Sequence, residues 1–333
     1  MIKLSKIFFV LFLLIFVSRC KNDNSDTSPF GEILSQPPFG LLTDSIRNNP
    51  SDAGLYYRRA ILLKKNNLPE PALADYQKAW SLKKNEEYAV GISNILLDKK
   101  TDTAIIFLND ALKILPSALF LQLNLATAYS QQNKTDEALK VCDAILQKEP
   151  SQIDALMMKA DLLEKKNKIP ESIATLENAY QLAPFDAELA YNLAFKYAQN
   201  KNEKAIMLSD SLIRMDSSGS HAEPYYFKGL YFSNTANKMK AIELFNLAIQ
   251  HDYNFLDAHL DKGTIFYDAK KYNEALKTFQ LVATISPTNA DAYFWMAKCQ
   301  EALNQKDEAK LNYQRAYGLD KSLTEAKEAA DKL

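Results

Sequence analysis

Prolines recur at a fixed distance along this chain. Pro116, Pro150 and Pro184 stand 34 residues apart, and Pro287 occupies the same place in a later unit. Small residues keep the same step. One series runs Ala126, Ala160, Ala194, Gly229, Gly263 and Ala297; a second runs Ala72, Ala104, Ala138, Ser172, Ala205, Ala241, Ala275 and Ala309. Proline is excluded from helix interiors because it lacks an N–H and collides with the preceding turn, so evenly placed prolines mark helix ends. Two small series per unit let two helices cross closely. One such hairpin cannot bury its apolar face alone, and neighbouring units must stack.

The remaining composition agrees with a helical array. The 333 residues include 8 glycines, and none pair at the spacing of a GxGxxG turn or a phosphate-binding loop. Nucleotide folds built on glycine turns are therefore excluded. At turns inside the units, Asn67, Asn133, Asn167 and Asn304 stand where a left-handed residue ends a helix, a conformation asparagine tolerates. The formal charge is −1, or −4 without the three basic residues of the N-terminal leader, which leaves no basic footprint for nucleic acid.

Period and pattern together resemble the tetratricopeptide repeat family. Residues 256–289 carry Gly263, Phe266, Ala275, Phe279 and Pro287 in the expected places; residues 222–255 carry Tyr225, Gly229, Phe232, Ala241, Phe245 and Ala248. Residues 53–86 add Tyr56, Ala60, Ala72, Tyr76 and Ala79. The resemblance implies an all-α, right-handed α-solenoid of about eight helix hairpins over residues 39–333. Repeats start near residues 53, 85, 119, 153, 187, 222, 256 and 290. Residues 39–50 read as the second helix of an incomplete repeat and 322–333 as a polar capping helix.

Residues 1–19 read as a signal peptide. Lys3 and Lys6 precede an unbroken apolar run from Ile7 to Val17, about 16 Å of helix and too short to span a bilayer. Val17-Ser18-Arg19-Cys20 resembles the lipobox of bacterial lipoproteins, with Arg19 departing from the usual small residue. The resemblance implies lipidation at Cys20, membrane attachment by lipid, and an outer-membrane destination, on the periplasmic side or at the cell surface. Residues 20–38, polar with three prolines, read as a flexible tether.

No motif for chemistry accompanies the repeats. There is no HExxH, no cysteine pair at zinc spacing and no nucleophile elbow, so neither an enzyme, a metal site nor a cofactor is expected. His251 and His259 read as exposed loop and helix residues, Cys142 and Cys299 as buried thiols too far apart to pair.

Binding is the use that the family geometry implies, on the concave face of the first helices. The positions facing it carry Tyr57, Tyr191, Phe195, Tyr226, Tyr267 and Phe294, rings that either line the groove or pack between neighbouring first helices. Six acidic residues on the same positions (Glu86, Asp154, Glu188, Glu223, Asp257 and Asp291) start helices and answer the helix dipole. Asp161, Glu164, Asp268 and Glu301 have no such role and are candidate contacts to a basic partner. The carboxylate clamp of chaperone-binding relatives is absent, since the series Ile61, Ser93, Thr127, Asp161, Phe195, Leu230, Thr264 and Lys298 lacks asparagine. The expected function is a lipid-anchored adaptor that binds a protein or peptide partner. A self-associating scaffold and a peptidoglycan- or polysaccharide-binding protein are the alternatives.

Overall fold

The computed structural model describes residues 29–216 and 219–333. The signal peptide, Cys20 and the first part of the tether lie outside the described residues. Within them every regular element is a helix. The chain forms two compact units that divide between Leu121 and Gln122.

The first unit contains α1 (Gly31–Ser35), α2 (Gly40–Asn48), α3 (Ala53–Lys65), α4 (Pro69–Leu82), α5 (Glu86–Lys99) and α6 (Thr101–Ile114). The division falls inside α7 (Leu119–Gln131). The second unit continues with α8 (Thr135–Lys148), α9 (Ile153–Lys165), α10 (Ile169–Leu182), α11 (Ala187–Gln199) and α12 (Lys204–Met215). It ends with α13 (Glu223–Asn234), α14 (Lys238–His251), α15 (Leu256–Asp268), α16 (Tyr272–Ile285), α17 (Ala290–Ala302), α18 (Lys306–Leu319) and α19 (Thr324–Lys332). Within each unit consecutive helices pack as hairpins, the arrangement of an α-solenoid. In the second unit the first helices α11, α13, α15 and α17 also touch in sequence, one on the next.

Local chemistry explains where these helices begin and end. Asp52, Asn85, Asp186 and Asn289 cap α3, α5, α11 and α17 by accepting a backbone N–H in the first turn. Proline occupies the first turn of α4, α10 and α13, where no N–H is needed. Asn67, Asn133, Asn167 and Asn304 close first helices with φ between 57° and 59°. Lys201, Ala236 and Lys270 hold the same left-handed geometry at the remaining turns, without a side chain suited to it.

Both small series are buried at the helix crossings. Every alanine of the second series is fully buried, and Ser172, its one hydroxyl, donates to the Ala160 carbonyl at 2.7 Å. A Cβ at Gly229 would lie 2.6 Å from the Phe245 ring, and one at Gly263 would lie 2.6 Å from the Phe279 ring. Where the crossing residue is alanine the facing residue can be smaller, as at Ala126 with Cys142 and Ala160 with Leu176. At these four crossings size is exchanged so that the interior stays filled, whereas Ala297 is buried with the large Tyr313.

The folded part starts earlier than the sequence pattern suggests. The expected tether through residue 38 is corrected at its end: Gly31–Ser35 is helical, and Leu34 and Phe39 are buried. Thr43 donates to the Leu34 carbonyl at 2.6 Å and accepts from Arg59 at 2.9 Å. Arg59 in turn makes a two-pronged ion pair with Asp75, at 2.6 and 2.8 Å, and all three side chains are buried. This network ties α1 and α2 to the first complete hairpin. At the other end α19 buries Ala326 and Ala330 against α18.

Candidate functional site

The rings expected to line a groove divide into two groups. Tyr226 and Phe294 are buried, each 8% exposed. Tyr226 packs against Phe245 and Phe255 at centroid distances of 5.7 and 5.1 Å, and its hydroxyl donates to Asp261 at 3.0 Å. Phe294 lies against Tyr313 and Trp295, with the Lys298 ammonium 5.1 Å from its centroid. Both are corrected from groove anchors to core residues. Tyr226 is enclosed by α14 and the start of α15, and Phe294 by α18 beside the cluster that α19 completes.

Tyr57, Tyr191, Phe195 and Tyr267 are half-buried. Tyr57 belongs to the first unit and packs on Tyr88 and Tyr76 at 4.9 and 5.9 Å. In the second unit Tyr191 and Phe195 both meet the ring of Phe227, at 6.1 and 5.6 Å, and Tyr267 meets Trp295 at 5.4 Å. Phe227 and Trp295, which join these rings, were not among the expected residues. Neither stands at a groove-facing position of the repeat, so the sequence carried no distinguishing signal.

The four expected carboxylates lie in different surroundings. Asp161 and Glu164, on α9, line a hollow of about 550 Å³ with Thr127, Met158, Leu162 and Lys165. Met158 and Leu162 give it an apolar floor. Glu164 is paired with Lys196 of the next first helix, and Lys165 donates to Ser130 at 2.7 Å. Asp268 is exposed. Glu301 accepts from the Tyr313 hydroxyl at 2.8 Å and, with Lys298 and Glu325, lines a hollow of about 370 Å³ beside α19. The carboxylates therefore do not converge on one point; they lie on α9, α15 and α17.

Asp261 is a further acidic residue of the same helices. Burial holds its carboxyl above the ordinary range, opposed by the hydrogen bond from Tyr226. Of the six acidic residues at helix starts, Glu86 has an added structural part, accepting the backbone N–H of Phe120 at 2.9 Å.

The remaining candidates are inert. Cys142 and Cys299 are buried free thiols whose pKa burial pushes up to about 12, which keeps them protonated and unreactive. His259, expected at the surface, is buried, with its Nε2 2.9 Å from the Tyr253 carbonyl. His251 stacks on Tyr225 at 4.5 Å. Among the described residues no group of three His, Cys, Asp or Glu side chains could hold a metal ion, and no helix is long and apolar enough to cross a membrane.

A tetratricopeptide repeat family model matches residues 96–162 and 266–315. No curated protein matches the sequence. The crystal structure of a tetratricopeptide repeat protein from Parabacteroides merdae ATCC 43184 superposes with a TM-score of 0.61 at 20% identity. That alignment covers 74% of this chain and 97% of the other. The APC/C hetero-tetramer Cut9–Hcn1 superposes with a TM-score of 0.50 at 16% identity, over 87% of this chain and 57% of the other. At these identities the likeness is one of fold. Together with the all-helical architecture it supports the tetratricopeptide repeat assignment.

Proposed function

We propose that the chain is a lipid-anchored adaptor of the bacterial cell envelope, which holds a segment of a partner protein along the first helices of its second unit. The tetratricopeptide fold points to a protein–protein interaction scaffold. One observation carries the choice of surface: α11, α13, α15 and α17 touch in sequence and form a continuous face. Half-buried rings at Phe195 and Tyr267 and exposed carboxylates at Asp268 and Glu301 accompany it. Rings with one open edge supply apolar area at small entropic cost, and charges around them set which partner is accepted.

The lipid anchor rests on Val17-Ser18-Arg19-Cys20, and an outer-membrane position follows from the same leader. Photo-crosslinking in the native cell tests the binding face. A photoreactive residue at Asp161 or Asp268 is expected to trap a defined partner, whereas one at the exposed second-helix positions Glu243 or Lys277 traps none. Equal trapping at both sets would overturn the proposal. For the anchor, incorporation of an alkyne fatty acid is expected and should vanish in Cys20→Ser; retained labelling would refute lipidation at that residue.

A further inference from the structure

The repeat pattern breaks at one junction of the second unit. Between α12 and α13 the linker spans residues 216–222, seven residues where the junctions after α8, α10, α14, α16 and α18 use four. The second helix before it is short, Lys204–Met215. Its Ser209 takes the place filled by Leu176, Phe245, Phe279 and Tyr313 in other repeats, and its buried hydroxyl has no hydrogen-bond partner. Departures from a repeat that cost stability are expected where function requires them.

Beside this break the surface opens into a cavity of about 230 Å³, at the edge where second helices hand over to first helices. Tyr180, Ala190, Tyr191, Leu208 and Leu212 wall it. Phe185 and Met215 stand at its mouth, 87% and 60% exposed, an unusual position for two large apolar side chains. The volume is below the roughly 300–1,000 Å³ of small-molecule sites and suits one large side chain.

The carboxylates that line it lie near the His221 ring, and the Arg214 guanidinium donates to the lining Ser211 at 3.2 Å. Asp186 and Asp216 line the cavity, and no lysine or arginine does. Asp186 caps α11 through the Leu189 N–H, and Asp216 accepts from the backbones of Gly219 and His221, so both carboxylates are held in place. Glu223 lies 3.8 Å from the His221 ring. Burial, followed by the charges of Glu223 and Asp216, raises the Tyr191 phenol.

We propose that this edge cavity is a second docking site, which takes a phenylalanine, tryptophan or leucine side chain from a partner segment that carries a lysine or arginine beside it. The apolar wall receives the side chain, Phe185 and Met215 close over it, and the Asp186–Asp216 rim receives the cation. The site shares Tyr191 of α11 with the first-helix face but uses none of Asp161, Asp268 and Glu301.

Panning a random dodecapeptide library on the full chain tests the assignment. Peptides pairing a large apolar residue with an adjacent Lys or Arg are expected to be enriched. Their binding should weaken at least about tenfold in Phe185→Asp, which changes an exposed position, and in Ser211→Trp, which plugs the cavity. It should also weaken with added salt and stay unchanged in Asp161→Lys, on the other face. Enrichment of peptides without that pairing, equal binding to Phe185→Asp, or recovery of no peptide would overturn the edge site. Peptides lost in Asp161→Lys but kept in Phe185→Asp would remove the edge site while supporting the first-helix face.

Discussion

Adding one methyl group at Gly263 should damage the array, and the structure gives the size of the effect. The new Cβ would lie 2.6 and 2.7 Å from two atoms of the Phe279 ring and 3.1 Å from a third, closer than real Cβ contacts. Phe279 is fully buried and stacked on Trp295 at 5.7 Å and 14°, so its ring cannot swing away cheaply. Overpacking of this kind costs roughly 1–3 kcal/mol, against about 1 kcal/mol gained when alanine replaces glycine in a helix. Gly318 separates the two contributions. A Cβ there meets nothing within 4 Å, so Gly318→Ala carries the helix gain alone and should stabilise. Gly263→Ala should instead destabilise by about 1 kcal/mol, the overpacking cost less the helix gain.

The double variant Gly263→Ala/Phe279→Leu recreates the Ala160–Leu176 pairing native to another repeat. Its loss should be smaller than the sum of the two single losses by about 1 kcal/mol or more, beyond the 0.3–0.5 kcal/mol scatter of independent sites. Repeat arrays unfold in parts, so urea titration followed by circular dichroism should be paired with hydrogen exchange of peptides from α15 and α16. Stabilisation by Gly263→Ala equal to that of Gly318→Ala, or strict additivity in the double variant, would refute the size-exchange reasoning.

Three further outcomes follow from buried polar groups. Asp75→Asn leaves the Arg59 guanidinium buried without its countercharge and should cost roughly 3–5 kcal/mol, measured as early exchange of α2 and α3. An unchanged exchange rate would refute the part given to the network. Ser209→Ala removes a buried hydroxyl that has no partner and should raise stability by about 1 kcal/mol in urea titration; a loss of similar size would mean the hydroxyl is satisfied in solution. Burial holds the His259 imidazole below its ordinary 6.5, so the unfolded chain binds its proton first. The stability this contributes is complete above about pH 6.5 and is lost as the pH falls through the lower folded value. His259→Gln should flatten the fall in melting temperature on that side, and an identical pH profile would refute it.

Much of this architecture was legible in the residues themselves. Proline can only end or begin a helix, and small residues at fixed steps can only serve close crossings. The starts of α3, α9, α11, α15 and α17 therefore follow from spacing alone. Asn67, Asn133, Asn167 and Asn304 announced their left-handed turns for the same local reason. Lys201, Ala236 and Lys270 did not, because neighbouring hairpins impose the conformation on residues that have no preference for it. The α1 segment reads as tether because its one buried leucine gives no period; only its packing on α2 makes it part of the fold.

For the candidate site the boundary lies elsewhere. A repeat frame places Tyr226 and Tyr267 on equivalent first-helix surfaces, yet one is buried with its hydroxyl on Asp261 and the other keeps an open edge. That difference is set by how closely two particular helices approach, which depends on the residues of both. The edge cavity was invisible for a similar reason: Phe185, Leu208 and Met215 are ordinary repeat residues, separated along the chain, and only the packing of α10, α11 and α12 brings them around one space. Sequence determined the helices, their turns and their order, because these depend on steric rules acting within a few residues. The tertiary structure decided which aromatic rings remain available to a partner, because exposure depends on contacts among residues distant in the chain.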